Sequence, residues 1–278
     1  MLLVTGSSEE GGKGGPVSSS SGLLTTAAYQ LGRTAPLFYA LEGAVAVAGA
    51  GVSWLRDGLG VIERAQEVEA LARSVADTGG VVLVPAFAGL LAPRWRADAR
   101  GVVVGLTSAT TGAHLARAML EAIGWQTKEV VEAMARDRGE AMGAGTDAET
   151  ETETGSKAAE GGEAEEKASD PKKENKPSIS AISRLRVDGG ASRNDLLMEI
   201  QADFLGLPVE RPAHGETTSL GAALAAGVGA GVFSAEEAFT VGTAGQSPAV
   251  FLPRAEREEV ARAYEKWNDA VERSYGLA

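Results

Sequence analysis

Alternation is the feature that most narrows what this chain can fold into. Short apolar runs recur at Leu37–Leu41, Val81–Pro85, Gly101–Gly105, Arg184–Val187 and Pro208–Arg211, and an earlier one, Leu2–Thr5, opens the chain. Val81–Pro85 and Gly101–Gly105 are rich in β-branched residues and bounded by turn formers, which predicts short buried strands. Helical segments stand between them, at Ala44–Leu59, Glu67–Val75 and Thr111–Arg136, then after Gly190 and from Thr217 to Val232. Strand and helix in turn over residues 37–232 predict an α/β fold, a sheet covered by helices on both faces.

The helices differ in what they demand. Leu115, Met119, Ile123, Val130 and Met134 fall on one face of the third, with Arg117, Glu121 and Lys128 elsewhere. The first, AVAVAGAGVSWLRDGL, and the fifth are small or apolar on nearly every side, so both are expected to be buried all round, the fifth with hydroxyl caps at Thr217 and Thr218. A last helix, Arg254–Tyr275, carries dense alternating charge and is expected to be exposed on one side.

Composition excludes several classes. There is no cysteine, so disulfides, thiolate catalysis and cysteine metal sites are absent. The two histidines, His114 and His214, are too far apart for a histidine-led metal or triad motif. The net charge is −12, and residues 140–177 hold eleven acids against five lysines, half of that excess. A mildly acidic remainder does not offer the broad basic face that nucleic acid needs. Met1-Leu2-Leu3-Val4 is too short and uncharged for a secretory leader, and the longest apolar run, Gly43–Leu55, is well under the ~20 residues of a membrane span. The expectation is a cytoplasmic protein with no membrane span and no nucleic-acid partner.

Two segments interrupt the pattern. Gly6–Ser21 reads as a flexible Gly/Ser turn; its Lys13 is followed by Gly14, so the phosphate-loop pattern GxxxxGK[ST] fails. Residues 139–180 lack aromatic and almost all large apolar residues, which predicts a disordered acidic insertion within a single domain spanning 1–278. A solvated spacer is the simpler role for it, a partner-binding one the alternative.

The chemistry is suggested at LRVDGGASRNDLLMEIQADFLG. An apolar strand runs into Asp188-Gly189-Gly190 and a helix starts at once. Such a turn presents backbone N–H groups and a helix dipole, and without β-carbons it lets a flat or phosphorylated ligand approach closely. Asn194, in the first turn, has an amide that could pair with an adenine edge or with the helix's own backbone. Gly43, Gly49 and Gly51 form a second cluster, with Ser53 four residues after Gly49 and so on its face. Close packing of helices explains glycines at such places equally well.

The runs around these residues resemble those of the FGGY family of carbohydrate kinases, in particular the carboxy-terminal half of glycerol kinases. The resemblance is carried by ALEG at Ala40–Gly43, PAFAGLLAPRW at Pro85–Trp95, DARG at Asp98–Gly101, VDGG at Val187–Gly190 and ETTSLGAA at Glu216–Ala223. It implies an actin-like ATPase (ribonuclease H-like) domain with a mixed sheet. It further implies nucleotide contacts at Gly49, Ser53, Gly189, Gly190 and Asn194. Three positions depart from the common family pattern: Ser53 stands for glutamine, Asp195 for asparagine and Arg94 for the tyrosine of APYW.

The resemblance implies ATP as co-substrate, Mg2+ arriving with the nucleotide, and transfer of the γ-phosphoryl group to glycerol. It also places the general base, the phosphate loops, the metal aspartate and most glycerol contacts in an amino-terminal domain that is absent from this sequence. No catalytic or metal-binding residue is therefore assigned here, and the chain alone is expected to be inactive, binding ATP or ADP, and glycerol only when that half is supplied. An apolar patch near Gly49 and Gly190, with a tendency to form a homo-oligomer, follows from a missing half. The alternatives are a non-catalytic nucleotide- or partner-binding module, a kinase half for another polyol or sugar, and a decayed product without function.

Overall fold

Helix α3, Gly112–Gly143, is the element against which α1, α2, α4 and β4 pack. The computed structural model describes residues 1–8, 15–143, 182–243 and 247–278. Six shorter helices accompany α3: α1 (Gly49–Asp57), α2 (Glu67–Arg73), α4 (Asp195–Leu205), α5 (Thr217–Gly229), α6 (Ala235–Thr243) and α7 (Arg257–Glu272). The strands are β1 (Leu2–Ser7), β2 (Leu24–Tyr29), β3 (Phe38–Glu42), β4 (Val82–Val84), β5 (Val102–Val104), β6 (Leu185–Arg186), β7 (Val209–Arg211) and β8 (Ala249–Phe251). They form three small sheets: antiparallel β1-β3-β2, antiparallel β4-β5, and β6-β7-β8, in which β6-β7 is parallel and β7-β8 antiparallel.

The single apolar face read for α3 understates it. Residues on almost every side of the helix are buried, including Ala116, Met119, Leu120, Ile123, Trp125, Val130 and Ala133. Met119, Leu120 and Ile123 face α1, α2 and α4 in the main core. Trp125 turns to β4, β5 and α7, and Val130 with Met134 lies under β3. Each such large side chain contributes about 1.5–3 kcal/mol of burial, so α3 is held from three directions. Small residues set the spacing: a β-carbon on Gly43 would strike Val130, one on Gly51 would strike Met119, and one on Gly124 would lie 2.9 Å from Ile200.

Two expectations fail. Helix α1 starts at Gly49 rather than Ala44, and only Gly51 and Leu55 of it are buried. The preceding residues carry the chain out of β3, with Val47 O accepting from Gln126 Nε2 at 3.4 Å. Helix α5 has no buried residue at all; its composition demands cover, but among the described residues α6 is the element packed along it. Its first turn lacks a hydroxyl cap, because Thr217 donates instead to Asp188. The sequence also gave no sign of β2, α6 and β8. Residues 9–14 of the Gly/Ser turn and 144–180 of the acidic insertion lie outside the described residues, while residues 139–143, expected in that insertion, continue helix α3. The turn's serine end is tied down: buried Asp137 accepts from the Ser19 hydroxyl at 2.5 Å and from the amides of Ser20 and Ser21 at 3.2 and 3.1 Å.

Candidate nucleotide site

The candidate residues fall at two stations, one at each of two helix starts. At the first, β6 delivers the chain to Gly189, whose φ of +80° and ψ of −178° lie in a region open essentially only to glycine. A 3-10 turn over Gly190–Arg193 follows, and α4 begins after Asn194. The turn is held from within by the Ser192 hydroxyl, which donates to Gly189 O at 2.8 Å, and from β7 by Arg211, whose Nη1 donates to Ser192 O at 2.7 Å and to Asp195 Oδ1 at 2.8 Å. A β-carbon placed on Gly189 or Gly190 meets nothing within 4 Å, so this backbone faces open space.

Asn194 is the N-cap of α4, not a first-turn residue. Its Oδ1 accepts from Leu197 N at 2.9 Å. The amides of Asp195 and Leu196 donate to the Glu69 carboxylate, at 3.1 and 3.2 Å. Glu69 is in turn held by Arg73, which also pairs with Glu199 on α4. Thus a carboxylate from α2 already occupies the positive end of α4, and the amides that a phosphate would need are engaged. What remains available is the Asn194 Nδ2 group, which has no hydrogen-bond partner among the described residues, above an open glycine turn. That arrangement suits a flat neutral group with an acceptor edge, and not an anion. Glu69 is invisible as a site residue in sequence: in a short amphipathic helix it reads as one more exposed acid.

The second station is the start of α1. Ala48 stands at the N-cap position and supplies no side-chain cap. Gly49, the first helical residue, is exposed, and a β-carbon there would also meet nothing within 4 Å. This separates it from Gly43 and Gly51, whose lack of a side chain is required by α3. Ser53 lies one turn on, half-buried, and on the same face. Helices α1 and α4 share α3 and the main core as their common support, which fixes one station relative to the other. No hydrogen bond joins the two stations among the described residues.

The acids elsewhere have structural partners. Asp188 accepts from Thr217, and Asp98 accepts from Arg96 at 2.6 Å and from Gly276 N at 3.0 Å, contacts that hold its carboxyl well below the usual range. Among the described residues no group of three or more His, Asp or Glu side chains is placed to hold a metal ion. They therefore offer no ready-made cage for Mg2+. A cleft of about 650 Å³ opens between Asp77–Leu83, α3, α4 and α7, and none of the five nucleotide-station residues lines it. No helix among the described residues is long and apolar enough to cross a membrane.

Comparison with known proteins places the chain as a whole in a family. Residues 13–230 match the FGGY family of carbohydrate kinases, C-terminal domain. The chain belongs to that family. It is 45% identical over 276 residues to glycerol kinase 2 of Streptomyces avermitilis, covering 99% of this chain and 45% of the relative. With the glycerol kinase of Arabidopsis thaliana it is 45% identical over 263 residues, covering 95% of this chain and 44% of the relative. A crystal structure of Plasmodium falciparum glycerol kinase with ADP superposes with a TM-score of 0.73 at 31% identity, covering 98% of this chain and 44% of that one. Xylulose kinase from Rhodospirillum rubrum gives 0.59 at 25% identity, covering 89% and 41%. The fold is thus the α/β, actin-like ATPase domain of these kinases, and the chain spans less than half the length of the relatives it matches.

Proposed function

We propose that this chain is the nucleotide-binding half of an ATP-dependent glycerol kinase, and that it is inactive without a second half. The carrying observation is the open Gly189–Gly190 turn beside an Asn194 amide whose Nδ2 is unengaged. The matched glycerol kinase structure contains ADP, which supports reading that turn as the adenosine station. The uncapped start of α1 at Gly49, with Ser53 a turn behind it, is the station assigned to the more anionic part of the ligand.

The division of labour follows from these assignments. ATP supplies the γ-phosphoryl group, and Mg2+ comes with its phosphates. Gly189 and Gly190 admit the adenosine, Asn194 orients it through one donated hydrogen bond, and the Glu69 carboxylate excludes phosphate from α4, which directs the phosphate chain away from that helix. Phosphoryl transfer rests on positioning and on charge stabilisation near the reacting oxygens. The base and metal ligands for that step are assigned to the second half. Glycerol is favoured as acceptor over another polyol by the identity to glycerol kinases.

Calorimetric titration of the full chain with ADP tests this reading. One site per chain that weakens with Gly190→Val supports it. Absence of ADP binding by a folded chain overturns it, leaving a partner-binding module as the better account.

A further inference from the structure

The cleft beside α3 is used by neither nucleotide station, and its lining has a chemistry of its own. Its volume of about 650 Å³ falls among pockets that enclose small organic ligands, about 300–1,000 Å³. Ile200 and Phe204 of α4 and Val260 of α7 give it apolar walls. Carboxylates enter from two directions. Asp77, before β4, and Glu121, on α3, form one pair, near enough that the charge of Asp77 acts on Glu121. Asp203, in the last turn of α4, and Glu259, in the first turn of α7, form the other. Asp203 Oδ1 accepts from the amides of Arg254 and Ala255 at 2.6 and 3.0 Å, which ties α4 to the approach to α7. Four acids thus face two bases, Arg117 and Lys266. Arg117 is already committed, its Nε to Glu121 Oε1 at 3.1 Å and its Nη1 to Val75 O at 3.4 Å. Lys266 is exposed, with a stem long enough to carry its ammonium into water. Glu121 Oε2 and Asp77 Oδ2 accept no hydrogen bond among the described residues. A carboxylate only 22% exposed, with half its acceptors unused, is costly unless a donor arrives.

We propose that this cleft is a binding site for a short aliphatic diamine. One ammonium sits between Glu121 and Asp77, the other against Asp203 and Glu259, and the hydrocarbon lies along Ile200, Phe204 and Val260. Other ligand classes answer only part of the lining. An anion meets a net negative wall, and a neutral molecule leaves the carboxylates without a counter-charge. A metal ion needs several oxygens converging on one point. Among the described residues no three acids are so placed, and a metal ion makes no use of an apolar wall. A diamine answers both demands. Hydrogen bonds from an ammonium to a carboxylate are charge-assisted and strong, and the methylenes between the two ends leave water for the apolar walls. Burial, with the charge of Asp77, already pushes the Glu121 carboxyl upward against Arg117, and an ammonium there opposes that push. The cleft is apart from the glycine turn and from α1, so the proposal does not rest on nucleotide binding.

Calorimetric titration of the full chain with 1,4-diaminobutane tests this, at about 0.1 M salt so that diffuse attraction to an acidic protein is screened. The expected result is one site per chain, with n-butylamine, which has a single ammonium, binding roughly tenfold more weakly. Glu121→Gln removes one carboxylate, and Ala263→Phe puts a ring into the cleft from α7; each should weaken the diamine by roughly tenfold or more. Glu259→Gln, at an exposed position, should weaken it too without disturbing the core, and circular dichroism checks that each variant is folded. Glu163→Gln, in the acidic segment of residues 140–177, is the control and should change nothing. Absence of diamine binding by the folded chain overturns the proposal. So does an affinity that Glu163→Gln lowers as much as Glu121→Gln, which would assign the binding to the acidic segment. Equal affinity for the monoamine, or equal displacement by Mg2+ at matched ionic strength, overturns it as well. ADP titration of the same variants should be unchanged, which keeps the nucleotide reading separate.

Discussion

Arg94 Nη2 lies 2.7 Å from Glu129 Oε1, and this one pair fastens the Pro85–Trp95 loop to the middle of α3. Glu129 is 7% exposed and Arg94 21%. The same oxygen accepts from Trp267 Nε1 at 2.7 Å, while Arg94 also donates to Tyr275 Oη at 3.0 Å and to Asn268. Loop, central helix and last helix therefore meet at one carboxylate. Burial works against the charge of Arg94, but the hydrogen bonds and negative charge of Glu129, with Tyr275 behind them, outweigh it and hold the guanidinium above its ordinary pKa.

Arg94→Met should consequently cost about 3 kcal/mol, the lower end expected when a buried acid loses its partner, because Arg94 keeps some access to water. Urea denaturation measures it. Adding Glu129→Gln should recover part of the loss, since the stranded charge is then gone. A double variant as unstable as the sum of the two singles would show that the pair is not coupled.

Adjacent glycines at the turn should respond in opposite ways. Gly189→Ala forces a side chain into φ +80° and should cost about 1–3 kcal/mol of stability. A β-carbon at Gly190 meets no neighbour within 4 Å, so Gly190→Val should leave stability within about 0.5 kcal/mol, while weakening ADP at least tenfold, about 1.4 kcal/mol. Stability is read by urea and affinity by calorimetry. Equal ADP binding by wild type and Gly190→Val would remove the turn from the site.

Asn194 has two separable jobs. Asn194→Ala removes the cap on Leu197 N and should destabilise by ~1 kcal/mol. Asn194→Asp keeps the accepting oxygen but loses the donor, so stability should hold while ADP affinity drops by about 0.5–1.5 kcal/mol, roughly two- to twelvefold. An Asp variant that binds ADP as well as wild type would limit Asn194 to capping.

The contrast between these residues shows what sequence could and could not deliver. The Gly189–Gly190 turn was legible because a strand, two glycines and a helix leave few backbone solutions. Glu69 was not, because its partner amides lie far along the chain at Asp195 and Leu196; nothing local to either marks the contact. The burial of α3 was underestimated because its polar positions, Gln126, Thr127 and Glu129, are buried with hydrogen bonds, which a hydrophobic period cannot register. Overestimated burial at α5 has the opposite origin. Composition reports what a helix requires, and here the cover is not among the described residues.

Glu121 on α3 gives the pH dependence, and its sign is set by a contest. Burial raises its pKa, Arg117 opposes this by its charge and by a hydrogen bond at 3.1 Å, and Asp77 adds a smaller push upward; the net shift is upward. The folded chain therefore holds this proton more tightly than the unfolded chain does. Its contribution is fully present below the unfolded carboxyl value, near 4.3, and is lost as pH rises through the folded value. Glu121→Gln has no proton to lose. The stability of wild type relative to this variant should thus be most favourable near pH 4 and should fall as pH climbs toward 8, measured by urea denaturation at matched ionic strength. If Arg117 prevailed instead, the folded pKa would lie below 4.3 and the difference would rise with pH. A rising difference would therefore mean that the ion pair, and not the burial imposed by α3, governs this position.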